Sequence, residues 1–322
     1  MPSLDAARVL GLVSAVYRSV AAHAAHAHLA HRADRRAAPQ PADAGLEAFM
    51  QGYSIEVMPR TAEKVDDFRA LLPEGTRVYI AHIEGTPIEE MVDTAQRLAA
   101  GGFQVMPHFP ARIMKDTAEL KDWIDRYVSE AGVEQALLLG GSPTTPVGKL
   151  DSSIQLIETG YFDGFKRLHV AGHPEGNGDI DAKGTTTHVD EAVRWKQAYA
   201  DRSGIDMALT TQFVFAAQPM IDWAERLEAD GITMPIHAGV AGPAKLQTLI
   251  KYAIACGVGP SLNVLQKRAK DLTKLLKPFE PTEVLTDLAA YKAENPDSLI
   301  DKVHVFPLGG IKNSAEYIRE NG

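Results

Sequence analysis

The chain has 322 residues, which fits two average domains or one large barrel. Its formal net charge of −9 gives no basic excess to neutralise phosphates, so we expect no nucleic-acid partner. With Cys256 as its only cysteine, the chain cannot build a disulfide framework or a cysteine-rich metal site, and a cytoplasmic location is expected. No apolar run reaches the roughly 18 residues that span a bilayer, so we expect no membrane segment.

The first 45 residues predict a helical extension and a linker. Residues 4–31 form an Ala- and His-rich tract typical of an amphipathic helix that packs on the body or on another subunit. The spacing of His23, His26 and His31 leaves metal binding as an alternative for this helix. The Pro- and Gly-containing segment 35–45 predicts the linker, and the folded body then begins near residue 46.

From residue 46 onward, short β-rich runs alternate with helical patterns. Thr86-Pro-Ile-Glu89 provides an N-cap and an early proline, and Gly101 and Gly102 end the helix that follows. The predicted strands are residues 54–57, 78–83, 104–108, 136–139, 168–172, 207–213, 234–237 and 303–306.

Eight strands interleaved with helices predict an α/β fold, the (β/α)8 TIM barrel, over residues 46–322. Two extra helices, residues 262–276 and 282–295, are predicted between strands seven and eight. In such barrels the working groups lie at the carboxyl ends of the strands. That rule selects the following candidates in chain order: Glu56, His108, Gly140, Gly141, Ser142, His173, Glu175, Gln212 and His237.

Most of these candidates also have a purely structural interpretation. Glu56 could form an ion pair with Arg60 or with a neighbouring cation of the barrel, and His108 could be a turn residue bonded to backbone. For His82 and His237 the structural interpretation is favoured. The sequence contains no HExxH motif, Cys/His cluster or Asp-rich loop, so we expect no metal.

Four of these stretches resemble methylenetetrahydrofolate reductases over about residues 50–320. Ser54-Ile-Glu-Val-Met-Pro-Arg-Thr61 is similar to that family's first strand, Phe-Glu-Phe-Phe-Pro-Pro-Arg-Thr, which carries a catalytic Glu. Three further matches follow in order. Pro107-His108 resembles Pro-His at strand three, Ala171-Gly-His-Pro-Glu175 resembles Ala-Tyr-Pro-Glu at strand five, and Thr211-Gln-Phe-Val-Phe215 resembles Thr-Gln-Phe-Phe-Phe at strand six.

The resemblance implies an enzyme that uses bound FAD and either NADH or NADPH to interconvert 5,10-methylenetetrahydrofolate and 5-methyltetrahydrofolate. Glu56 would protonate N10 of the folate, and burial is expected to raise the pKa of its carboxyl for that task. Gln212 would bind the pterin. The flavin site would comprise His108, Gly141, Ser142, Ala171, His173 and Lys196, with Lys196 near the phosphates.

Several positions depart from the pattern of this family, among them the Asp and Asn that precede its phosphate-binding lysine, for which only Asp190 and Arg194 lie nearby. The family's Arg-Gly-Asp after strand four is Gly140-Gly-Ser142 here, so Ser142 replaces the Asp that faces flavin and pterin. After strand eight, Leu-Asn-Arg becomes Leu308-Gly-Gly310, and Lys312 is the nearest substitute cation for the folate. His173 stands where Tyr is usual.

These departures keep alternatives open. One is a flavin-independent folate reductase with direct hydride transfer from NADH. Others are a non-catalytic folate or flavin binder and a pterin-dependent methyltransferase. The sequence also does not decide whether NADH or NADPH is the hydride donor, or whether the chain forms a homo-oligomer.

Overall fold

The structure is a computed structural model that describes residues 41–182, 185–256, 265 and 278–322. The predicted helix of residues 4–31, with its alternative histidine metal site, lies outside the described residues. The same holds for the predicted helix 262–276, apart from Leu265. Within the described ranges, no helix is both long enough and apolar enough to cross a membrane.

The described residues form a closed barrel of eight parallel strands in sequence order, which confirms the predicted (β/α)8 fold. The strands are β1 (Ser54–Val57), β2 (Arg77–Ile80), β3 (Gln104–Pro110), β4 (Gln135–Leu139), β5 (Arg167–Gly172), β6 (Asp206–Thr211), β7 (Ile236–Ala241) and β8 (Ile300–Phe306). β8 pairs with β1 through Ser54 and His304, and this pairing closes the barrel.

Helices separate the strands along the chain. They are α1 (Pro41–Met50), α2 (Pro59–Ala62), α3 (Ile88–Ala100), α4 (Thr117–Ala131), α5 (Ser153–Glu158), α6 (Thr187–Ser203), α7 (Gln218–Ala229), α8 (Leu246–Ala255), α9 (Thr282–Glu294) and α10 (Ile311–Asn321). The predicted helix 282–295 is therefore present as α9. Helix α1 packs against α9, α10 and β8, and it spans the predicted boundary at residue 45.

Local sequence signals explain where a helix such as α4 begins and ends. The Asp116 carboxylate accepts hydrogen bonds from the backbone N–H groups of Ala118 and Glu119, both at 2.9 Å, and so caps the first turn. Gly132 ends the helix with a left-handed conformation, φ 62°, that glycine adopts without steric cost.

The two faces of the barrel wall differ in chemistry. Outward-facing residues such as Ile55, Val78 and Leu168 are fully buried against the helices in the main apolar core. The interior of the barrel contains a small apolar cluster of Tyr79, Met106 and Leu137. It also contains several buried polar side chains, namely Ser54, His108, His169, Thr210, His237 and His304. Bulky aliphatic side chains usually fill this space, so the polar interior is unusual for a TIM barrel.

Several strand ends differ from the prediction, and those of β7 and β6 change where candidate residues lie. β7 covers Ile236–Ala241 rather than 234–237, so His237 lies near the start of its strand and not at the carboxyl end. Residues 238–241 lie beyond the predicted strand. Gly239 allows close strand packing there, because a Cβ at this position would lie 2.4 Å from the Thr211 carbonyl oxygen. β6 ends at Thr211, which places Gln212 directly after the strand.

Candidate functional site

Glu56 lies in β1 with its side chain inside the barrel, beside two imidazoles. Its carboxylate oxygen Oε2 is 3.3 Å from Nε2 of His108 on β3 and 3.9 Å from Nε2 of His304 on β8. The side chain of Glu56 is 19% exposed, whereas those of His108 and His304 are 10% and 1% exposed. The carboxylate thus faces two side chains of the barrel, as the structural interpretation allowed, and not Arg60.

The electrostatics of the free site correct one expectation. Burial alone raises the pKa of the Glu56 carboxyl, as the sequence led us to expect. The imidazoles of His304 and His108, whose Nε2 atoms face the carboxylate, outweigh burial and hold its pKa below the usual value. Burial lowers the pKa of His108 to about 4. At neutral pH the free protein therefore has an ionised Glu56 and a neutral His108.

His304 is the main site residue that the sequence prediction missed. Its Nδ1 shares a hydrogen bond of 2.9 Å with the hydroxyl of Ser54, which fixes the ring so that Nε2 points toward Glu56. The Tyr79 ring packs on the His304 ring, with 4.3 Å between their centroids. Alternate residues of β8 face the interior of the barrel, and this pattern could have indicated His304. The register that places His304 beside Ser54 arises only when the barrel closes, and it is not visible in the sequence.

The loop after β4 is held in place by Arg112. The backbone N–H of Arg112 donates to the Gly140 carbonyl at 2.8 Å, and its Nε donates to the Asp151 carboxylate at 2.6 Å. Gly141 has φ 99°, and a Cβ at this position would lie 3.0 Å from Cβ of Pro110. The glycine is thus required by the local backbone, and Ser142 is presented on the exposed side of the loop.

His173 and Lys196 form a second polar group near the end of β5, where Ala171 is partly buried. Lys196, on α6, is 6% exposed, and among the described residues no carboxylate pairs with it. Burial lowers the pKa of its ammonium group to about 8. Burial and the positive charge of Lys196 together lower the pKa of His173 to about 4. An unpaired, buried ammonium group is suited to an anionic ligand.

Gln212 and Lys312, with Ser142, are the residues predicted to bind folate. The Oε1 of Gln212 accepts a hydrogen bond from the backbone N–H of Phe213 at 3.2 Å, and within the described ranges its amide NH2 donates to no protein group. Lys312 is exposed at the start of α10. No contact in the described residues joins Gln212, Ser142 or Lys312 to Glu56. Only His108 among the predicted residues contacts the carboxylate.

The two remaining histidines have structural contacts, as favoured from the sequence. His82 stacks on Trp123 with 4.5 Å between ring centroids, and its Nε2 lies 3.0 Å from the Thr86 carbonyl oxygen. His237 packs against His169 inside the barrel, also with 4.5 Å between centroids. In the part of the chain that is described, no group of three or more His, Cys, Asp or Glu side chains is placed to hold a metal ion.

Comparison with known proteins supports the fold. No family model matches the sequence. A similar structure is that of an uncharacterized protein from Clostridium thermocellum, which binds two copies of 5-methyl-5,6,7,8-tetrahydrofolic acid. The TM-score is 0.55 and the sequence identity 11%, and the similarity covers 86% of this chain and 97% of that chain. Yersinia pestis DHPS, with a bound pterine-sulfa conjugate, gives a TM-score of 0.44 and 12% identity over 85% and 93% of the two chains. At 11% identity, the similarity to the Clostridium thermocellum protein shows a shared fold alone.

Proposed function

We propose that this protein is a folate-dependent enzyme that interconverts 5,10-methylenetetrahydrofolate and 5-methyltetrahydrofolate, with Glu56 as its acid. The observation that carries the proposal is the Glu56 carboxylate, held inside a barrel between His108 and His304. The four reductase-like stretches support it, since they lie on β1, β3, β5 and the end of β6. The Clostridium thermocellum protein adds support, because a similar barrel binds a reduced folate.

The chemistry requires one proton at N10 of the folate. Protonation lets the bond between N10 and the bridging carbon break, which leaves an iminium at N5, and hydride addition to that carbon then gives the methyl group. Glu56 is ionised in the free protein, so it must gain a proton when folate binds. A pterin over the site would exclude water from the carboxylate and raise its pKa, and the imidazoles of His108 and His304 would orient it.

Gln212 and Lys312 would bind the two ends of the folate. The amide NH2 of Gln212 donates to no protein group in the described ranges, so it can donate to the pterin, which displays both donors and acceptors along its edge. Lys312 is exposed and cationic, which suits the carboxylates of the folate tail. Ser142, on the loop after β4, would contact the pterin or the cofactor through its hydroxyl, whereas the reductases have a charged Asp at this position.

The residues of the β5 end are consistent with FAD as the resident cofactor. Lys196 is a buried ammonium group without a carboxylate partner among the described residues, and a phosphate would neutralise it. His108, Gly141, Ala171 and His173 would line the ring system. Bound FAD would accept hydride from NADH or NADPH and deliver it to the folate.

One observation favours a second candidate. Ser142 is exposed and uncharged where the reductases have an Asp that faces the flavin, so the flavin contact is weakened at this loop. A reductase that transfers hydride directly from NADH to the folate, without flavin, would not need that contact.

Anaerobic titration tests the proposal and separates the two candidates. The purified protein is titrated with NADH or NADPH and then with 5,10-methylenetetrahydrofolate while the absorbance spectrum is followed. We expect flavin bleaching by the nicotinamide and recovery of the flavin spectrum on folate addition. Folate reduction without any flavin absorbance would select the flavin-free candidate. Absence of both folate binding and folate reduction would refute the proposed function.

A further inference from the structure

Three cations face the interior of the barrel near the amino-terminal ends of the strands. Side chains of a strand point alternately to the two faces of the barrel wall, so residues two positions apart face the same way. On β2, β5 and β8, a cation stands two positions before the interior residues Tyr79, His169 and His304. We define the basic layer by these three cations: Arg77, Arg167 and Lys302.

The cations of the basic layer act on one buried group, the imidazole of His237. The side chain is 2% exposed, and the strand register places His237 opposite Lys302. Burial lowers the pKa of this imidazole well below the usual value, and the positive charges of Arg77, Arg167 and Lys302 lower it further. Its Nδ1 has no hydrogen-bond partner in the described part of the chain. The basic layer is therefore compact enough for its charges to converge on one ring.

The basic layer and His237 line a cleft of about 850 Å³ at the amino-terminal end of the barrel. Sites for small molecules have volumes of roughly 300–1,000 Å³ and combine apolar walls with a few polar groups. The apolar part of this wall comprises Met50, Tyr53, Leu71, Leu72 and Ile318. Among the described residues that line the cleft, none belongs to the proposed folate or FAD site. The cleft therefore offers a separate site of suitable size.

Three of the cations in the cleft have a structural explanation. Nε of Arg167 donates to the Asp206 carboxylate at 2.7 Å, and Nε of Arg69 lies 3.3 Å from the Asp67 carboxylate. Arg319 stands in the last turn of α10, where a cation interacts favourably with the carbonyl groups of the helix end. These three side chains need no ligand to account for them.

The two other cations, Arg77 and Lys302, have no carboxylate partner among the described residues. Arg77 donates from Nε to the amide oxygen of Gln135 at 2.8 Å and from Nη2 to that of Gln104 at 3.0 Å. Neutral amides orient the guanidinium but leave its charge uncompensated. The ammonium of Lys302 lies beside Gly52, where an added Cβ would be 3.8 Å from Nζ. Two cations are thus held in the cleft wall with their charges available to a ligand.

Carboxylates in the same wall leave these two cations unpaired. Glu74 and Asp301 also line the cleft, and in the described ranges neither forms an ion pair with Arg77 or Lys302. Asp301 immediately precedes Lys302 on β8, so the two side chains point to opposite faces of the strand.

We propose that this cleft binds a phosphate group, either free or carried by a small organic molecule, with Arg77 and Lys302 as its anchoring cations. A phosphate monoester carries a charge of about −1.5 to −2 near pH 7, which matches two unpaired cations, whereas a carboxylate neutralises only one. Arginine binds phosphate oxygens through its planar fork, and lysine binds them as a point charge. The apolar wall would contact the organic part. The site does not depend on the proposed function.

Isothermal titration calorimetry tests the site with three probes: inorganic phosphate, phenyl phosphate and benzoate. The purified protein is titrated near pH 7 in a phosphate-free buffer of low ionic strength. We expect saturable binding of both phosphates and at least tenfold weaker binding of benzoate, which has the same ring but one charge. Tighter binding of phenyl phosphate than of inorganic phosphate would support an organic ligand, and equal affinity would support the free ion.

Variants locate the bound phosphate within the protein. Arg77→Gln and Lys302→Met should each weaken phenyl phosphate binding at least tenfold, and Lys302→Met maintains the test if Arg77→Gln does not fold. Lys196→Met is the control for the proposed FAD site, because Lys196 does not line the cleft, and it should bind phenyl phosphate as the native protein does.

Three results would overturn the proposal. The first is the absence of saturable phosphate binding by the native protein at millimolar concentrations, and the second is equal affinity for benzoate and phenyl phosphate. The third is binding that is lost in Lys196→Met but kept in Arg77→Gln and Lys302→Met, which would place the phosphate at the end of β5 instead.

Discussion

Nε2 of His108 lies 3.3 Å from the Glu56 carboxylate, although the two residues come from β3 and β1, which are separated in the sheet by β2. The contact crosses the interior of the barrel. It places an imidazole that is neutral near pH 7 against an ionised carboxylate. Glu56 can therefore act as an acid only after the folate has bound. Exclusion of water by the bound pterin would then raise the pKa of the carboxyl, so that Glu56 takes up a proton.

The first prediction concerns Glu56 itself. Glu56→Gln keeps the size of the side chain but removes the acid, so folate reduction should fall by about 10²–10⁴-fold. Reduction of bound flavin by NADH should remain, since hydride transfer to flavin needs no proton on N10. Separate anaerobic half-reactions measure the two effects. Equal loss of both half-reactions, or full retention of both, would contradict the role of Glu56 as the acid.

The second prediction concerns His304, which holds the pKa of Glu56 down. His304→Gln removes the imidazole that faces the carboxylate, so the pKa of the Glu56 carboxyl should rise. The protonated carboxyl has an infrared band that is absent in Glu56→Gln, and its intensity against pH gives the pKa. His237→Gln is the matched control, because it removes an imidazole of the same barrel that does not contact Glu56. An unchanged Glu56 pKa in His304→Gln would refute this electrostatic role.

Much of the fold could be predicted because the determinants of each strand and helix are local. The run Ser54–Val57 was bounded correctly, since apolar residues with a high strand propensity precede a Pro-containing helix start. β7 was misplaced because His237-Ala-Gly-Val-Ala241 carries the small residues of a loop, and only contact with β6 makes it a strand. Such contacts between neighbouring strands are not encoded in local sequence.

The candidate site was predictable only in part, for a related reason. Glu56 and His108 were found because they stand at the carboxyl ends of two strands in the pattern of a known family. His304 was missed because its relation to Glu56 arises when β8 pairs with β1 and closes the barrel. The pKa of Glu56 was predicted in the wrong direction, because burial was visible in the sequence but the second imidazole was not.

The third prediction tests Lys196 as the binding group for an anionic cofactor. Lys196→Met removes a buried ammonium group that has no carboxylate partner in the described part of the chain. FAD affinity should fall at least tenfold, whereas the FAD-free protein should gain about 1–2 kcal/mol in its free energy of unfolding. Titration with FAD and urea unfolding measure the two quantities.

Lys121→Met is the control for Lys196, since Lys121 is exposed and pairs with Asp125 at 2.6 Å. It should change the free energy of unfolding by no more than about 0.5 kcal/mol and leave FAD affinity intact. Unchanged FAD affinity in Lys196→Met would exclude Lys196 from the cofactor site.

The fourth prediction follows from the buried histidines. Burial lowers the pKa values of His108 and His173 to about 4, from about 6.5 in an unfolded chain. Between these values the unfolded state binds more protons than the folded state, so stability should decrease as the pH falls from about 6.5 to about 4. Each such histidine contributes a slope of about 1.4 kcal/mol per pH unit. His173→Gln should flatten this dependence of the free energy of unfolding on pH, measured by urea unfolding at a series of pH values.

The fifth prediction addresses Ser142, which replaces the Asp of the reductases. If the loop after β4 faces the flavin, Ser142→Asp adds a negative charge that opposes electron uptake. The flavin potential should then fall by roughly 30 mV, equivalent to about 1.4 kcal/mol for a two-electron couple. Folate affinity should change as well, since a bound pterin would pack on the same loop. Thr144→Asp places the same charge on an exposed position of that loop and should have a smaller effect on both. An unchanged potential and an unchanged folate affinity in Ser142→Asp would show that the loop does not line the site, because a new charge within reach of flavin or pterin must alter at least one of them.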